Sequence, residues 1–114
     1  MNEPKTIRVT SIMTPAPLET ANLTDNVDTI IRIMTIKNKS SVVILNALKH
    51  PEGIITERDI VRRLVFESKD AKLTQAADIM SSPLISINDD ALIYDATMIM
   101  SKHSIRRLPI IKDN

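Results

Sequence analysis

The sequence predicts an α+β chain of sandwich-like character, built from two copies of one unit with the second copy cut short. Three observations carry that prediction. The tetrapeptide SIMT at 11–14 returns as DIMS at 78–81, a repeat worth seeking before anything else. Residues Leu18 to Asn46 then align with Leu84 to Lys112 at a constant offset: Leu18 falls on Leu84, Asn22 on Asn88, Met34 on Met100 and Ile44 on Ile110. Within each copy, short β-branched runs alternate with apolar residues at helical spacing.

Taken in order, each copy opens with a short strand, Leu18–Thr20 in the first and Leu84–Ile87 in the second. A polar helix start follows, Thr24-Asp25 and Asp89-Asp90. The first helix, Thr24–Lys37, places Val27, Ile30, Ile31 and Met34 on one stripe. Its counterpart, about Asp90–Lys102, carries Ile93, Ala96 and Met100. A strand comes next, VVIL at 42–45 and LPII at 108–111. The first copy continues through a turn near His50-Pro51 to a strand at Gly53–Ile55. A second helix then starts at Thr56, with Ile60, Val61, Leu64 and Val65 expected to be buried. The second copy ends before that last strand and helix. Residues 1–70 and 71–114 are therefore expected to be the two repeats, the second truncated after its second strand.

Composition narrows the function. Apolar residues make up 43% of the 114 and charged residues 25%, ordinary for a folded domain. There is no cysteine, which excludes disulfides and thiolate chemistry, and two histidines make a poor metal site. One glycine leaves no Gly-rich phosphate loop. A net charge of +1 and few aromatics disfavour nucleic-acid binding. No apolar run reaches membrane-span length, and the start, MNEPKTIRVT, has no signal-peptide core, so a cytoplasmic protein is expected. Asp89-Asp90 fits a helix N-cap better than a catalytic pair. With no nucleophile, base and orienting group in view, no enzyme is expected.

The repeated (D/S)-I-M-(T/S), the run GIITERD and the run IRRLPI together resemble a tandem pair of CBS domains, a Bateman module, of the small stand-alone prokaryotic type. The resemblance covers almost the whole chain. It implies a β-α-β-β-α unit per copy, two units packed on a pseudo-twofold axis, and nucleotide-sized clefts between them. In that family the clefts take adenosine-containing ligands such as AMP, ADP, ATP or S-adenosylmethionine as regulatory signals. No further cofactor is implied.

Thr56 and Asp59 admit two readings. Their spacing is that of a capping box, with Asp59 free to pair with Arg62 or Arg63. In the family, G-x-x-T-x-x-D instead places the Asp on a ribose diol and the Thr near ribose or phosphate. A carboxylate, being acceptor-only, suits such a diol. Gly53 reads either as a turn residue or as a place where another backbone or a ligand comes close. The resemblance also implies a phosphate contact from the basic residues before the last strand. Arg107 is preferred, with Arg106 beside it; Ser40 and Ser41 stand in their places in the first copy. By the same analogy Ile12, Met13, Thr14 and Pro15, with Ile54, Ile105 and Pro109, are expected to wall the adenine. Each of these is equally an ordinary core or turn residue. His103 fits a surface histidine. One competent nucleotide site per chain is expected.

The leading expectation is a non-catalytic sensor that binds an adenine nucleotide and is read by a regulated protein partner. The alternative is a homodimerisation module with vestigial clefts, assembled through Thr24–Lys37 and Thr56–Ser68. Nucleic-acid binding comes third.

Overall fold

A computed structural model of the chain describes residues 18–88, 91–103 and 108–111. The described residues form two compact units that divide between Leu84 and Ile85.

The first unit is built on a three-stranded sheet in the order β1 (Thr20–Asn22), β2 (Ser41–Leu45), β3 (Pro51–Thr56). β1 runs parallel to β2 and is joined to it by helix α1 (Val27–Ile36); β3 returns antiparallel to β2. Alternation along β2 sends Val42 and Ile44 to the face that also receives Ala21 and Ile55. Onto that face α1 packs Val27, Ile30 and Met34 of the stripe read from the sequence, while its fourth member, Ile31, is partly buried beside them. Fully burying aliphatic side chains of this size contributes about 1.5–3 kcal/mol apiece. The remaining core residues are Leu64, Ala76 and Ile79.

Several element bounds differ from expectation, each for a local reason. The first strand lies at Thr20–Asn22, because the parallel register sets Thr20 beside Val43 and turns Ala21 inward. Helix α1 starts at Val27, since Asn26 caps it by accepting the Thr29 N–H at 2.9 Å. The Asp25 carboxylate meanwhile accepts the Asn22 N–H at 2.8 Å and holds a turn. The β2–β3 turn is organised by Asn46, whose side chain accepts from the N–H groups of Leu48 and His50. Lys49 there adopts a left-handed φ of 65°.

After β3 the chain enters α2 (Glu57–Asp59), which passes straight into a π-helical stretch, Ile60–Val65. The expectation that Ile60, Val61, Leu64 and Val65 share a buried face is corrected here. Leu64 is buried and Ile60 half-buried against the core, whereas Val61 and Val65 are 60% and 64% exposed. Each sits one residue beyond its core-facing neighbour, so its side chain is turned by roughly a quarter of a turn away from the core.

Residues 69–83, for which the sequence predicts no element, complete the first unit together with Leu84; the strand expected at Leu84–Ile87 lies instead at Ile87–Asn88. The carbonyls of Ala71 and Thr74 accept the N–H groups of Asp28 and Val27 at the start of α1. A short helix α3 (Ala76–Ile79) follows, its Ala76 and Ile79 in the core. The segment that follows residue 70, expected from the sequence to open the second repeat, lies in space with the first unit as far as Leu84.

The second unit pairs β4 (Ile87–Asn88) in parallel with β5 (Ile110–Ile111). Helix α4 (Ile93–His103) turns Ala96 inward to Ile87, with Ile99, Met100, Leu108 and Ile110 packed around them. It repeats the strand–helix–strand order of β1–α1–β2.

Candidate functional site

Thr56 ends β3 and Asp59 ends the first turn after it, so strand and helix together fix their geometry. The capping box is present: Asp59 N–H donates to Thr56 Oγ1 at 3.2 Å, and Thr56 N–H donates to Asp59 Oδ2 at 2.9 Å. The Thr56 hydroxyl lies 3.1 Å from the same Oδ2 and donates to it. The other carboxylate oxygen, Oδ1, accepts the Ser81 hydroxyl at 2.9 Å and has Arg63 Nε 3.9 Å away. Asp59 is buried, its side chain 10% exposed, while Arg63 is half in solvent. Of the two pairings offered for Asp59, the structure adopts Arg63.

Ser81 reaches Asp59 because residues 80–84 run along the free edge of β3. Ile54 and Ser81 exchange both backbone hydrogen bonds, at 3.0 and 2.8 Å, and Leu84 N–H donates to Glu52 O. Arg63 fastens the same segment, its Nη1 donating to the carbonyls of Met80 at 2.8 Å and Ile79 at 3.3 Å. Gly53 makes the approach possible. A Cβ there would lie 2.8 Å from the Ser81 carbonyl oxygen and 2.6 Å from Met80 Sδ. Gly53 is thus a mid-strand residue required by close contact, not a turn residue. The backbone it admits is Met80–Ser81.

Of the residues singled out in the sequence, Thr56, Asp59 and Ile54 come together on β3 and the start of α2. Pro109 is buried in the second unit, where its carbonyl accepts the Ile87 N–H at 3.1 Å. Ile12, Met13, Thr14, Pro15, Ile105, Arg106 and Arg107 lie outside the described residues, as do Asp89 and Asp90. His103 is exposed at the end of α4. Three residues at the site were not singled out for it: Met80, Ser81 and, as an anchor of their segment, Arg63. The signal for the first two was the return of SIMT as DIMS, which marks both copies without saying which one meets Gly53.

Among the described residues no cluster of His, Cys, Asp or Glu could hold a metal ion, and no helix is long and apolar enough to cross a membrane. What the site offers is hydrogen-bonding chemistry: one carboxylate at the edge of an aliphatic sheet, flanked by two hydroxyls and one guanidinium.

Comparison with known proteins identifies the family. The CBS domain model matches residues 9–66 and 76–114, and the chain belongs to the CBS domain family. An uncharacterized protein of Methanopyrus kandleri is 46% identical over 74 residues, 65% of this chain and 38% of that protein. The chain spans less than half the length of such curated relatives. A CBS domain protein from Pyrobaculum aerophilum, solved in complex with AMP, superposes with a TM-score of 0.84 at 23% identity, covering 95% of this chain and 81% of that one. A hexameric CBS-CP12 protein from bloom-forming cyanobacteria superposes with a TM-score of 0.84 at 23% identity, covering 94% and 62%. These likenesses fix the fold as a mixed α+β pair of CBS repeats.

Proposed function

We propose that this chain is a non-catalytic regulatory module that binds an adenosine-containing nucleotide on the first unit, with Asp59 as the ribose acceptor. The observation that carries the reading is the Asp59 carboxylate. It is nearly enclosed, held rigid by Thr56, and set beside a strand whose only glycine admits a second backbone. Such a group is costly to bury and suits a ligand that presents paired hydroxyls. The neighbour complexed with AMP supports the ligand class. Thr56 is assigned to the ribose–phosphate side and Ile54 to an apolar wall. Arg107, with Arg106, is proposed as the phosphate contact on the sequence pattern alone.

Isothermal titration of the chain with AMP, ADP, ATP and S-adenosylmethionine tests this. Saturable heat from at least one of them is expected, weakened at least tenfold by Asp59→Asn. Silence from all four contradicts the reading.

A second reading, assembly with a second copy of the chain, has its own observation. Val61 and Val65 of the π-helical stretch and Phe66, its C-cap, leave 60%, 64% and 84% of their surfaces exposed. The CBS-CP12 neighbour is itself hexameric, which supports assembly as a reading. Light scattering separates the readings: a dimer disrupted by Val65→Lys and indifferent to nucleotide favours assembly.

A further inference from the structure

The hydrogen bond from Ser81 to Asp59 belongs to neither element of the capping box. Ser81 Oγ donates to Oδ1, the carboxylate oxygen that the box leaves over, at 2.9 Å. Thr56 supplies both donors on Oδ2, and Arg63 stands 3.9 Å from Oδ1, beyond hydrogen-bond reach. With the Asp59 side chain 10% exposed, a hydroxyl arriving from outside meets an oxygen already covered. The Ser81 backbone is held independently, by its two bonds to Ile54 and by Arg63 on the preceding carbonyl. Only the side-chain hydroxyl is therefore free to leave, by rotation about a single bond.

We propose that Ser81 is a built-in surrogate for the ligand: its hydroxyl satisfies Asp59 in the empty protein and is exchanged for a ligand hydroxyl on binding. The inference rests on the nucleotide reading given above. One hydroxyl donor replaces another on the same oxygen, so the carboxylate is never left bare, and an unsatisfied buried acceptor is what would otherwise make the empty site costly. The same exchange sets affinity, since the ligand must displace an existing bond.

The signature of a surrogate is two effects of opposite sign in Ser81→Ala. The empty variant should melt lower, by roughly 3–6 °C, because Oδ1 loses its donor. AMP should bind about 3- to 10-fold more tightly, because nothing has to be displaced. Ser81→Thr, which keeps the hydroxyl, should return both values towards wild type. Calorimetry with AMP, ADP, ATP and S-adenosylmethionine and thermal denaturation are run on all three proteins. Binding by Ser81→Ala alone, with wild type silent, also supports the surrogate. If wild type binds and Ser81→Ala binds equally or more weakly, Ser81 is a structural or direct ligand contact; the surrogate is overturned while the nucleotide site stands. If neither protein binds any of the four, the site reading falls, and the surrogate with it.

Discussion

Asp59 shows how one residue serves local structure and a candidate site together. As the third helical residue it returns a bond to the Thr56 N–H and starts the helix; as an enclosed acceptor it faces Ser81. Asp59→Ala removes both roles, and a loss of about 1–2 kcal/mol is expected in urea denaturation, the range of a helix cap. Gly53 makes a sharper case. Its Cβ would fall 2.8 Å from a backbone oxygen, which cannot swing aside as Met80 Sδ can. Gly53→Ala should therefore cost about 1–3 kcal/mol, the usual penalty of overpacking; an unchanged denaturation midpoint would show that the Met80–Ser81 segment yields freely.

At the scale of elements, the helix after β3 is where periodicity and packing part company. Apolar residues at 60, 61, 64 and 65 look like one broad stripe, but the sheet beneath accepts only the Ile60–Leu64 row. Hydrogen bonds from Phe66 N–H to Val61 O and from Lys69 N–H to Leu64 O, each spanning five residues, mark the wider turn that follows. Leu64→Ala should cost about 2–5 kcal/mol. Val65→Ala in the monomer should stay within about 0.5 kcal/mol of wild type. Equal costs at the two positions would return Val65 to the core. The same element shows what was legible in advance. The Thr56–Asp59 cap and the Val27–Ile30–Met34 stripe follow from local rules, so spacing alone revealed them. Helix α3 spans four residues, too few for a periodic signal, and its place is set by long-range bonds such as Ala76 N–H to Asp25 O. Ser81 was hidden for the same reason: its partner is distant in sequence and is chosen by which strand edge is open.

For the whole molecule, the repeat was the most informative feature. It exposed the shared strand–helix–strand order, and the two units display it as β1–α1–β2 and β4–α4–β5. The family match over 9–66 and 76–114 follows the same repeat. What the repeat did not convey is that residues 71–84 complete the first unit, since a linear alignment has no knowledge of where a segment docks. If the first unit binds nucleotide, stability must rise with ligand by linkage. At a hundred times Kd the gain is about 2.7 kcal/mol, visible as a concentration-dependent shift in Tm. A melting temperature that stays constant across that range would argue for assembly without a ligand.

The most direct measurement is calorimetric titration of AMP, ADP, ATP and S-adenosylmethionine into the wild-type chain and into Asp59→Asn, which preserves size and removes the charge. The account predicts one saturable site per chain for at least one of these ligands, weakened at least tenfold in the variant. Undiminished binding by Asp59→Asn, or no heat from wild type with any of the four, would contradict it.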